Sequence, residues 1–154
     1  MGADAPKAAG HAAHWDYEGA GAPEKWGQLQ SDFRVCDLGM QQSPIDLRAA
    51  TPASLGTIEP AFVEMPLRIV HNGHTIQVNC PPGSASQIAG ERYELVQFHF
   101  HHPSEHILDG TRFELECHFV HRSATGALAV IGVFIRPGAA HPAIQTIWDA
   151  MPLK

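Results

Sequence analysis

With 154 residues the chain has the length of one domain built on one hydrophobic core. A formal charge of -6, from 10 Lys and Arg against 16 Asp and Glu and with no basic run, argues against nucleic acid or an anionic membrane as partner and leaves a small neutral or anionic metabolite. No apolar stretch approaches the roughly 18 residues that a membrane helix needs.

Residues 1–13, opening Met1-Gly2-Ala3-Asp4-Ala5-Pro6, lack the apolar core of a signal peptide and read as a flexible leader to a domain over 14–154. From there 12 Pro and 14 Gly punctuate short alternating runs, the pattern of a mainly β protein. Ile69 to Asn79 reads as a hairpin with Asn72-Gly73 at its turn. From Tyr93 to His101 the period is two: Val96, Phe98 and Phe100 are apolar, while Gln97, His99 and His101 share the other face. On a strand, histidines at i and i+2 point to the same side, whereas a helix would splay them.

Pro103 then stops regular pairing, and Asp109-Gly110 is a hairpin turn signal. A second strand alternates Phe113, Leu115, Cys117 and Phe119 against Glu114, Glu116 and His118. Closing the hairpin on Asp109 and Gly110 sets His118 opposite His101, where facing Cβ atoms are about 4.5 to 5.5 Å apart. A register slip by two residues leaves His99, His101 and His118 on one face. Ala127 to Arg136 is nearly all apolar, which suits a strand buried on both faces. Pro142 to about Met151 is the clear helix candidate.

Three imidazoles converging on one point, with no fourth protein ligand in reach, is the donor set of a catalytic zinc; a structural zinc closes its shell, usually with cysteine. Cys117 points away from His118 and reads as a buried thiol, Cys80 before Pro81-Pro82-Gly83 is ambiguous, and Cys36 sits in a loop. The other histidines of the stretch, His102, His106 and His121, read as structural or solvated.

In chain order, His14-Trp15-Asp16-Tyr17, Trp26-Gly27, Gln42-Ser43-Pro44-Ile45-Asp46, Asn72-Gly73-His74, the two histidine strands and Leu128 to Phe134 resemble the α-class carbonic anhydrases of bacteria. The resemblance implies a mainly β fold with short helices around a central, mostly antiparallel twisted sheet. It implies Zn2+ on His99, His101 and His118, supported by Gln97 behind His99 and Glu116 behind His118, and reversible hydration of carbon dioxide to bicarbonate and a proton. It makes His74 the proton shuttle, a role that suits imidazole. Tyr17 and Asn72 become water-ordering groups, and Val120, Leu128 and Val130 the apolar substrate pocket.

Glu105 becomes the acceptor that orients a threonine at the metal. That threonine belongs to a segment a complete member carries beyond Lys154, so the fold is expected to be C-terminally incomplete. The disulfide partner of Cys36 is expected in the same segment, and the strand holding Val130 is expected to keep an exposed edge open to self-association. Family resemblance further implies a periplasmic or secreted protein. Two other readings stay open: a zinc-binding piece with weak or no activity, and a catalytically silent relative acting as a binding module, although such relatives usually lose a zinc ligand.

Overall fold

A computed structural model describes residues 14–152; the leader expected at 1–13 and the chain end at Lys154 lie outside the described residues. The chain forms two compact units, Met1–Ser43 and Pro44–Lys154.

The first unit is short helical turns, among them α1 (Trp26–Leu29) and α2 (Val35–Leu38). Trp15, Tyr17 and Trp26 meet edge-on, with ring centroids 5.4 to 5.9 Å apart. The indole N–H of Trp26 donates to the carbonyls of Gly21 (2.7 Å) and Asp16 (3.0 Å), closing the loop between them. A Cβ at Gly27 would meet the side chain of Asp37.

In the second unit, β1 (Asp46–Leu47) pairs in parallel with β7 (Ile107–Leu108). The remaining strands form a seven-stranded antiparallel sheet: β2 (Ile58–Ala61), β3 (Ile69–His71), β4 (Ile76–Asn79), β5 (Ala85–Ile88), β6 (Glu91–His101), β8 (Leu115–Ser123) and β9 (Leu128–Ile135). The long β6 is its spine. One edge of β6 carries β5 along its first half and β4 along its second; the other edge carries β8, which in turn carries β9.

Alternation along β6 and β8 sorts the side chains. Phe98 and Phe100 with Cys117 and Phe119 face the core, where Val78, Phe100, Cys117 and Ile147 are buried together. Helix α3 (Pro142–Asp149) closes this side, with Trp148 edge-on to Phe100 at 5.1 Å. It starts at Pro142, whose missing N–H costs nothing in a first turn. Gln97, His99, His101, Glu116 and His118 take the opposite face by the same alternation.

Three expectations are corrected. Asp109 and Gly110 do form the turn, with φ of 48° and 80° and paired bonds of 2.9 Å between Leu108 and Thr111. The strands they join, however, pair two residues out of step with it, so His118 lies opposite His99 and Glu116 opposite His101. The loop before β7 absorbs the difference, and because the slip is even, no side chain changes face. The earlier hairpin centres on Gly73 and His74 rather than on Asn72 and Gly73, since His71 pairs with Ile76. Finally, β9 is not buried on both faces: Leu128, Val130 and Val133 are exposed, and among the described residues β9 pairs only with β8.

Cys117 is buried, Cys80 half-buried and Cys36 exposed, and all three are free thiols among the described residues. Burial, helped by the charge of Glu116, pushes the Cys117 thiol up to about 12. No helix among the described residues is long and apolar enough to cross a membrane.

Candidate metal centre

His99, His101 and His118 each turn one ring nitrogen inward, and these atoms lie within 4.8 Å of one another. Ring centroids are 4.8 Å apart for His99 and His101, 4.7 Å for His101 and His118, and 5.5 Å for His99 and His118. The cause is local: two positions on β6 and one on β8 that share a face of one antiparallel pair. A bulge between Leu95 and Gln97 leaves Gln97 opposite Val120, which keeps it on that face.

One outer nitrogen is held in a defined tautomer. Nδ1 of His99 lies 2.8 Å from Oε1 of Gln97, an oxygen that only accepts, so His99 carries its proton at Nδ1 and turns Nε2 inward. Nε2 of His118 lies 3.0 Å from Oε1 of Glu116, a contact whose angles fall short of a hydrogen bond. Burial, and then the neighbouring His118, holds His99 below the ordinary imidazole range. Burial pushes His101 down to about 4, with His118 and His99 adding to the effect and Glu116 partly opposing it. Both influences keep imidazoles neutral, the state in which they ligate a metal.

Glu116 is buried and anchored from three sides. His106 donates its backbone N–H to Oε2 (2.9 Å) and its Nδ1–H to Oε1 (2.7 Å), while His118 approaches Oε1. Burial alone pushes this carboxyl up, but the His106 bonds and the His118 contact outweigh it and hold Glu116 below the usual carboxylate range. On β9, Gly132 pairs with His118, and a Cβ there would stand 2.7 Å from Oε1 of Glu116. The strand can therefore pass the carboxylate only as glycine.

The remaining site residues expected from sequence fall in four places. Val120 pairs with Val130, and Arg122 with Leu128, so all three apolar pocket residues lie on the imidazole face. Asn72 organises the β3–β4 turn: Oδ1 accepts the backbone N–H of His74 and of Thr75 at 3.0 Å each, and Nδ2 donates to Gln77 at 3.3 Å. Gln77 pairs with His99, which ties the turn bearing the half-buried His74 to the first metal-facing strand. Tyr17 sits in the aromatic cluster of the first unit. Glu105, in the loop after β6, places Oε2 3.2 Å from Nε2 of His101 and 3.6 Å from Nδ1 of His118.

Three imidazoles on rigid strands, backed by a carboxamide and an anchored carboxylate, fit a divalent ion of borderline softness such as zinc. The profile of the eukaryotic-type carbonic anhydrase family matches residues 21–153. The chain belongs to that family.

A carbonic anhydrase of Pectobacterium carotovorum is 46% identical over 141 residues, which are 92% of this chain and 58% of that protein. One from Nostoc is 44% identical over 144 residues, 90% of this chain and 54% of that protein. Among solved structures, the α-carbonic anhydrase of Thermovibrio ammonificans in complex with sulfanilamide superposes with a TM-score of 0.88 at 39% identity, covering 92% of this chain and 64% of that one. The chain thus spans little more than half the length of these curated carbonic anhydrases.

Two residues that shape this site were not singled out from sequence. His106 read as structural or solvated, and it is structural, setting the position of Glu116; it lies in a loop, where no period shows which partner a side chain meets. Gly132 did carry a signal, since a glycine inside an apolar strand marks a close approach.

Proposed function

We propose that this chain binds one zinc ion through His99, His101 and His118 and catalyses the reversible hydration of carbon dioxide to bicarbonate and a proton. The observation that carries the reading is the convergence of three imidazoles on one sheet face, that of His99 with its outer nitrogen bonded to Gln97 and that of His118 with its outer nitrogen beside Glu116. Zinc in such a site supplies a nucleophile at neutral pH by lowering the pKa of water to about 7, the value established for carbonic anhydrase.

The chain's own residues do the rest. Gln97 accepts the outer proton of His99 and so aims its inner lone pair, while Glu116 stands beside the outer nitrogen of His118. Val120, Val130 and Leu128 offer an apolar surface beside the imidazoles for an uncharged linear substrate. His74 relays the proton released at each turnover, from the turn that Asn72 ties to Gln77. Family resemblance supports a water-ordering role for the Tyr17 hydroxyl of the first unit. Family resemblance supports placement in the periplasm or outside the cell.

Zinc content by elemental analysis and carbon dioxide hydration by stopped flow test the proposal together. We expect one zinc per chain, lost in His118→Ala, and turnover that follows zinc content. Unchanged zinc in His118→Ala overturns the ligand assignment; zinc bound as expected without any hydration favours a zinc-binding module.

A further inference from the structure

We infer that Thr75 is a positioning residue for the metal centre: its hydroxyl holds the end of β6 at Phe100 and so aims His101 at the point shared with His99 and His118. The inference rests on the zinc reading above and deepens it. Phe100 lies between His99 and His101, and β6 ends at His101. Val78 pairs with Phe98, and the N–H of Cys80 donates to the carbonyl of Val96 (2.9 Å), so alternate residues of β6 turn their backbone groups toward β4. By that alternation Phe100 comes next, with Ile76 as its partner. The register between β4 and β6 instead stops at Gln77 and His99.

The Thr75 side chain takes the place of the absent pair. Its Oγ1 accepts the backbone N–H of Phe100 (3.3 Å) and donates to the carbonyl of the same residue. A hydroxyl carries one donor and two acceptor sites, so a single side chain can satisfy both groups. Thr75 is itself fixed: its N–H donates to Oδ1 of Asn72 (3.0 Å), and its carbonyl accepts the N–H of Asn72 (3.2 Å). The half-buried Thr75 thus joins the β3–β4 turn to the residue that separates two metal-facing imidazoles. On the core face the Phe100 ring meets Trp148, while in the plane of the sheet its backbone is flanked by β8 on one side and Thr75 on the other. Without the hydroxyl, Phe100 and His101 keep only their β8 edge, and two part-buried backbone groups lose their partner.

Zinc affinity, measured by competition with a chromophoric chelator, tests this in the parent, Thr75→Val and Thr75→Ser. Valine keeps the branched shape without the hydroxyl; serine keeps the hydroxyl without the methyl. We expect Thr75→Val to bind zinc about tenfold more weakly than the parent, the lower end of the loss on removing a group that orients a ligand, and Thr75→Ser to match the parent. Ile147→Ala, which loosens the core behind the same sheet and leaves the hydroxyl in place, should also match the parent. Parent affinity in Thr75→Val, or equal weakening in Thr75→Ser or in Ile147→Ala, overturns the inference. Amide hydrogen exchange in the parent gives a second reading that needs no variant: the Phe100 N–H should exchange as slowly as the ladder amides of β6, and exchange at the rate of an unstructured chain overturns it. Failure of the underlying zinc reading looks different, as zinc stoichiometry would then survive His118→Ala.

Discussion

The residues that control this site are mostly not its ligands. Glu116 draws two bonds from His106 and takes its space from Gly132, so the carboxylate beside His118 is placed by a loop histidine and by a missing side chain one strand away. Gly132→Ala should push the carboxylate off His118 and weaken zinc binding about 10- to 100-fold, the usual effect of losing a group behind a ligand. Competition with a chromophoric chelator measures this, and circular dichroism should show the sheet retained; unaltered affinity would mean that Glu116 has room to give way. His74→Ala, by contrast, should leave zinc content intact and slow turnover in dilute buffer, with added imidazole restoring part of the rate. If the variant keeps pace with the parent at low buffer, His74 is only a turn residue.

At the level of elements, the β6–β8 pair carries both halves of the molecule's chemistry, imidazoles on one face and core on the other. Helix α3 backs the core face, and Ile147 is the helix residue buried there with Val78, Phe100 and Cys117. Truncating it in Ile147→Ala should cost about 2 to 4 kcal/mol, the range for deleting most of a buried aliphatic side chain. Urea unfolding gives the number. Zinc stoichiometry should not change below the transition, because the ligands stand on the far side of the sheet; loss of zinc in the folded variant would show that the two faces are coupled. The pair's register was legible only in part. Asp109-Gly110 marked the turn correctly, but the loop around β7 pairs with β1 at Asp46 and Leu47, a partner more than 55 residues earlier that no local pattern announces.

Across the whole second unit, the sheet ends on β9, eight residues long, with Leu128 and Val130 more than half exposed at 62% and 53%. A long apolar edge strand is a template for another strand. The chain is therefore expected to self-associate with rising concentration in sedimentation velocity. A single monomeric mass across the concentration range would refute the expectation.

Periodicity alone determined the imidazole face. A strand's period of two sends His99 and His101 the same way whatever the fold, and an even register slip cannot move His118 from their side. The same rule fixed Phe98, Phe100, Cys117 and Phe119 as core. Tertiary structure decided what periodicity cannot reach: that His106 anchors Glu116, that Gly132 makes room for it, that β9 stands at an edge, and that Glu105 turns to the imidazoles. Each depends on chain segments that meet through loops and non-local pairing, where side-chain direction follows from packing and hydrogen bonding rather than from spacing along the chain.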